Sequence, residues 1–158
     1  VVGSANTVET AYMTQIQGVS NTVTGQESTD ESKVTTHNYV GGFFNKLENG
    51  KSNYVIGTKN TVTSSSDSTT NASNIVIGDN HTLTNGSHNV IIGSEDVETA
   101  KETPAARHGL RLMAAEETET SKSPDNVVRI GHNAKATYDY SAALGAGSVA
   151  STDAGVPG

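Results

Sequence analysis

Any chemistry in this chain must come from 17 carboxylates, 10 lysines and arginines and five histidines, because there is no cysteine. Disulfide staples and thiolate metal sites are therefore excluded. The histidines stand at positions 37, 81, 88, 108 and 132. They form no i, i+4 helical pair and have no carboxylate at ligand spacing, so no metal site is assigned. His81 and His88 could approach each other on neighbouring repeats, but surface histidines account for the pattern. Polysaccharide hydrolysis or lysis would need clustered carboxylates for acid/base work. The acidic residues here, such as Glu27, Asp30, Glu31, Glu116, Glu117 and Glu119, lie mainly in insertions and show no recurrent pairing. No catalytic residue and no cofactor is assigned.

Non-covalent binding remains, and two stretches stand out for it. The largest insertion runs over residues 99–124, and its middle, Ala105 to Ala115, lacks the Ser/Thr/Asn bias of the rest. Arg107, His108 and Arg111 place three groups able to carry positive charge in a chain of net charge −7. Leu110, Leu112 and Met113 lie among them. One reading is a projecting adhesive element, since long loops on a scaffold tend to carry function. The other is a strap that packs its apolar residues onto a neighbouring chain. The second stretch is Phe43-Phe44, the only phenylalanines, on a turn. Paired aromatics there could anchor a ligand. Alternatively one ring folds back over Gly41, where other repeats have isoleucine.

These stretches interrupt a chain poor in core material. Val, Ile, Leu and Phe make up about 19% of it, while Ser, Thr and Asn make up about a third. An ordinary globule cannot offset its backbone entropy with so little apolar area. The chain is either disordered or buries a few residues very regularly, and regular burial requires a repeat. Gly3, Gly18, Gly42, Gly57, Gly78, Gly93, Gly131 and Gly145 align one, with a basal spacing of 14–15 residues and three longer gaps. Two residues before the glycine stand Val1, Ile16, Val40, Val55, Val76 and Ile91, then Arg129 and Ala143. One before stand Val2, Ile56, Ile77, Ile92, Ile130 and Leu144, with Gln17 and Gly41 as interruptions. Four before, the column is largely asparagine (Asn38, Asn53, Asn74, Asn89). Three after, it reads Asn6, Asn21, Asn45, Asn60 and His81. Five after, it reads Val8, Val23, Leu47, Val62 and Leu83, ending in Ala136 and Ala150.

Each half-unit has strand length, β-branched residues and a turn signal. The coil therefore reads strand, turn, strand, turn. Adjacent apolar residues such as Val55-Ile56 point to opposite faces. One face fills the coil interior, and a second copy of the chain is the economical cover for the other. Eight coils at about 4.8 Å each give a rod of roughly 35–40 Å. Equivalent asparagines should stack as ladders, and Tyr39 should stack on Tyr54.

The repeat resembles the YadA-like head of trimeric autotransporter adhesins. Tyr140-Ser141-Ala142-Ala143-Leu144-Gly145-Ala146-Gly147-Ser148-Val149-Ala150 carries the resemblance best. Ser73-Asn74-Ile75-Val76-Ile77-Gly78 and His88-Asn89-Val90-Ile91-Ile92-Gly93 also match. The resemblance implies an all-β fold, a left-handed parallel β-roll (a solenoid), forming a homotrimer around one axis. It implies display on a bacterial outer membrane and adhesion to host cells, extracellular matrix or other bacteria. Residues 1–158 are then one head β-roll with insertions at about 25–34, 64–71 and 99–125. Signal peptide, stalk and membrane anchor are expected outside this chain, which opens in mid-pattern.

Other classes fit less well. Acyltransferase β-helices repeat every six residues and calcium-binding rolls every nine. The negative charge argues against a nucleic-acid partner and against direct docking on an anionic membrane. No run approaches 18 apolar residues. The expected partners are a second and third copy of the chain and a host protein or glycan. The alternatives are a spacer that carries a more distal binding domain or, further away, a β-helix carbohydrate-active enzyme.

Overall fold

The computed structural model describes residues 1–65, 71–96 and 123–151. Among them every strand pairing is parallel and there is no helix. The first coil supplies β1 (Val2–Ser4), β2 (Thr7–Glu9) and β3 (Ala11–Tyr12). The second supplies β4 (Gln15–Val19), β5 (Thr22–Thr24) and, after an insertion, β6 (Thr35–Thr36). β7 (Tyr39–Phe43) and β8 (Lys46–Glu48) follow, then β9 (Tyr54–Thr58) and β10 (Thr61–Thr63). Next come β11 (Ile75–Asp79), β12 (Thr82–Thr84) and β13 (Val90–Ser94). β14 (Val128–Ile130), β15 (Lys135–Ala136), β16 (Ala142–Leu144) and β17 (Val149–Ala150) complete the order.

The strands before and across the repeat glycine form one eight-stranded sheet, β1-β4-β7-β9-β11-β13-β14-β16. The repeat glycines mark its register. Gly3 lies opposite Gly18 and Gly18 opposite Gly42. Gly42 lies opposite Gly57, Gly57 opposite Gly78 and Gly78 opposite Gly93. The last two depart from this pattern. Strands β14 and β16 end one residue before Gly131 and Gly145, so there the pairing stops short of the glycine. Gly131 still joins the stack, donating its N–H to the Ile92 carbonyl at 2.8 Å.

The second strands form a five-stranded sheet, β12-β10-β8-β5-β2, and β15 pairs with β17. The coil also has a third, short side that the strand-turn-strand-turn expectation lacked. β3 pairs with β6, and bridges continue that side from Thr36 to Lys51 to Ala72.

Three sides need three corners. Sixteen non-glycine residues among those described have φ between 46° and 65°, and they recur at three coil positions. Ala5, Ser20, Phe44, Lys59, Asn80 and Asn133 stand two residues after the glycine. Thr10, Asn49 and Asn85 stand seven after it, and Met13, His37, Ser52, Ser73, His88, Asn126 and Tyr140 five before it. A left-handed residue reverses the sense of the strand locally, which turns the chain sharply without a long loop.

The interior is one stacked column from each of two sides. Ile16, Val40, Val55, Val76 and Ile91 face Val23, Leu47, Val62 and Leu83, all essentially inaccessible to solvent. Beyond β13 the core narrows to Val127, Ala134, Ala136 and Ala143. The column one residue before the glycine faces outward. Ile77 and Ile92 are each 37% exposed, Ile130 is 40% and Leu144 65%.

Candidate functional site

Asparagine ladders hold two corners in register. In one, the backbone N–H groups of Asn53, Asn74, Asn89 and Val127 donate to the Oδ1 of Asn38, Asn53, Asn74 and Asn89 at 2.9–3.1 Å. In the other, Asn21, Asn45, Asn60 and His81 donate in the same way to Asn6, Asn21, Asn45 and Asn60 at 3.0–3.1 Å. These buried amides supply partners for turn backbone that water cannot reach. They fix the positions of everything mounted on the corner that follows the repeat glycine.

That corner presents Phe43 and Phe44, then Lys59 one coil on, then Asn80, then Glu95, then Asn133. Phe43 ends β7 instead of lying on the turn, so Phe44 alone is the corner residue. Phe43 is 52% exposed and Phe44 58%. The space at Gly41 is taken by a different ring. A Cβ at Gly41 would lie 3.1 Å from Cε1 of Tyr39, and Tyr39 stacks on Tyr54 with ring centroids 4.8 Å apart. Neither phenylalanine is needed to cover Gly41.

Two departures from the repeat meet beside this corner. His81 occupies an asparagine column, and Arg129 occupies the apolar column between Ile91 and Ala143. His81 Nε2 lies 3.0 Å from the Gly93 carbonyl oxygen, matching the bond that Asn60 Nδ2 donates to Gly78 O at 2.7 Å. Its Nδ1 lies 3.3 Å from Glu95 Oε1. Arg129 turns back to the same carboxylate and donates from Nη1 to Oε1 at 3.0 Å. Burial pushes the Glu95 carboxyl up. The His81 hydrogen bond and the charges of Arg129, His81 and Lys135 outweigh it and hold the group below its ordinary range. Burial pulls the Arg129 guanidinium below its ordinary value, with Glu95 opposing. His81 is therefore a buried residue at 2% exposure, contrary to the surface placement expected for the histidines. His88 stands at a different corner of the coil.

In front of the cluster a groove of about 710 Å³ is lined by Lys59, Asn80, Thr82, Glu95, Asp96, Asn133 and Lys135. The carboxylates of this surface have partners within the chain. Asp79 Oδ1 accepts from the Thr58 backbone N–H at 2.8 Å. Asp96 Oδ2 accepts from Asn133 Nδ2 at 2.8 Å, and its Oδ1 lies 3.5 Å from His132 Nε2. Lys59 and Lys135 make no ion pair among the described residues.

Arg107, His108, Leu110, Arg111, Leu112 and Met113 lie outside the described residues. Sequence reasoning missed the site built from Lys59, Glu95 and Lys135. The usable signal was the pair of column violations, His81 and Arg129, falling on nearby coils and facing a shared acid. Among the described residues no three His, Asp or Glu side chains form a metal-binding group. In comparison with known proteins, no family model, curated protein or solved structure matches this chain.

Proposed function

We propose that three copies of the chain pack through the outer face of the eight-stranded sheet, and that the assembly is a non-enzymatic adhesive head displayed on a bacterial surface. The observation that carries this reading is the exposed apolar column of that face. Ile77, Ile92, Ile130 and Leu144 stack there with Tyr54 and Ile75, which are 52% and 41% exposed. A contiguous apolar patch of this kind is an interaction surface. A strip repeated in six of the eight coils, without break from Ile56 to Leu144, suits a partner with the same coil spacing, which a second copy has. The number three, the left-handed winding and the outer-membrane location come from the resemblance of the repeat to trimeric autotransporter heads. Membrane attachment belongs to an anchor outside this chain. The adhesive role rests on the same resemblance and on the polar corner opposite the interior.

Light scattering tests the assembly. A mass about three times 16.3 kDa at micromolar concentration is expected, and a monomer overturns the shared face. Attachment of the intact assembly to matrix proteins, cells and glycans tests the role. Loss of attachment on deleting residues 101–123, with the assembly retained, places the receptor contact there. Attachment to none of these surfaces leaves only a spacer.

A further inference from the structure

We propose that Gln17 and Tyr39 form a polar layer in the outer face of the eight-stranded sheet that locks packed copies of this chain parallel and in register. This rests on the shared-face reading above and adds what sets the alignment of the copies. The rest of the face cannot set it. Its outward positions, one and three residues before the repeat glycine, hold no charged residue. Ile56, Ile77, Ile92 and Ile130 follow one another at the same position in successive strands. A copy displaced by one coil, about 4.8 Å, still meets isoleucine at those levels. A copy turned end for end does the same. Repetition of this kind leaves register weakly specified.

One place breaks the repetition, and two departures from the column meet there. Gln17 and Gly41 are direct partners on β4 and β7. The Tyr39 ring lies over Gly41, with Cε1 3.1 Å and the hydroxyl oxygen 3.3 Å from where a Cβ would stand. Isoleucine, which the next four coils carry at that position, would take this space. Stacking on Tyr54, with centroids 4.8 Å apart, steadies the ring. Its hydroxyl reaches the neighbouring coil and donates to Gln17 Oε1 at 3.4 Å. That is the one hydrogen bond of the Gln17 side chain among the described residues, so its Nε2 group keeps both donors. Gln15 stands beside it and is likewise exposed. Buried between copies, the Gln17 amide needs an acceptor. An amide both donates and accepts, so Gln17 side chains at one level can bond in a ring around an axis. A one-coil displacement sets one copy's Gln17 level with Val2 of another, and reversal sets it level with Ile130. Neither offers a partner. A single polar residue in an apolar coiled-coil seam selects alignment by the same penalty.

The test uses the full chain, which has no cysteine of its own. Val149→Cys, at an exposed site on β17 and away from the face, takes a spin label near one end of the roll. Pulsed dipolar spectroscopy then reads the spacing between copies. One narrow distance is expected. Displaced copies would add components offset by about 4.8 Å, and reversed copies an axial offset of roughly 34 Å. Gln17→Leu should leave the assembly intact by light scattering and split the distance into several populations. Tyr39→Phe keeps the ring and its stack, removes the hydroxyl and should broaden the distance. Gln17→Leu with Ile92→Gln moves the polar layer along the face and should restore one distance, a rescue that a merely structural role for Gln17 would not give. Circular dichroism checks the fold of each variant. One narrow distance retained in Gln17→Leu, or several distances in the parent chain, overturns the register role and leaves the shared face standing. A monomeric parent chain overturns both.

Discussion

Gly57 has φ of 134°, and a Cβ built on it would collide with the Gly78 carbonyl oxygen, 1.8 Å away. Backbone on the next coil cannot retreat without breaking the ladder on either side. Gly57→Ala is therefore expected to cost about 4 kcal/mol or more, read as a lower denaturant midpoint. Gly145 has φ of 105° but nothing within 4 Å of its Cβ position. Gly145→Ala keeps only the dihedral strain, about 1–3 kcal/mol. Equal losses at the two sites would show that close approach is not what excludes side chains. Glu95 offers a second residue-scale test. Its carboxyl is held below the ordinary value, so the folded state binds this proton less readily than the unfolded chain. The resulting stability is present above the ordinary glutamate range and is lost as pH falls through the depressed value. Glu95→Gln should lower the melting temperature at neutral pH and flatten its decline in acid. An unchanged acid limb would assign that decline to other carboxylates.

At the scale of the element, the ladders do what a helix does for its own backbone, but across coils. Asn53 is fully buried. Its Oδ1 accepts from the Asn74 backbone N–H at 3.1 Å and from Asn74 Nδ2 at 2.9 Å. Its Nδ2 donates to Asn38 Oδ1 at 3.2 Å and to the Asn71 carbonyl at 3.1 Å. Asn53→Ala strands several buried partners and should cost about 2–4 kcal/mol. Hydrogen exchange should quicken at Asn74 and its neighbours before it quickens in the first coil. Uniform exchange would argue against a local role. The ladders, the glycine register from Gly3 to Gly93 and the Tyr39–Tyr54 stack were legible in sequence because a period puts equivalent residues on top of one another. The third side was not. It is two residues long where it forms strands, Ala11-Tyr12 and Thr35-Thr36, and carries no apolar column. The Glu95 cluster was hidden for another reason: Arg129 follows a long insertion, so its neighbours in space are remote in sequence. The fit of Tyr39 over Gly41 was also unreadable, since ring direction is decided by packing.

At the scale of the whole molecule, one chain closes its interior but leaves an apolar sheet face open. If that face joins copies, one charge on it should separate them without unfolding the roll. Ile77 points away from the core and is 37% exposed. Ile77→Asp is expected to give a monomer by light scattering with its β-sheet circular dichroism retained. An intact assembly would move the interface elsewhere. The corners have a different consequence. Gly25 and Ser64 still bond to the coil before them, through the Glu9 and Glu48 carbonyls. Past them the chain leaves the regular path, and it rejoins the stack on the third side, at Thr35 and at the Lys51–Ala72 bridge. Both departures therefore lie between the second and third sides of a coil. The other two corners are bound by amides that tolerate no change of spacing. Length can vary along that one edge, and a foreign peptide cloned into residues 28–32 should be displayed from it once per chain. Whole coils of about 15 residues are the other unit in which length can change, so such a roll can grow by duplication while its outer edge diversifies.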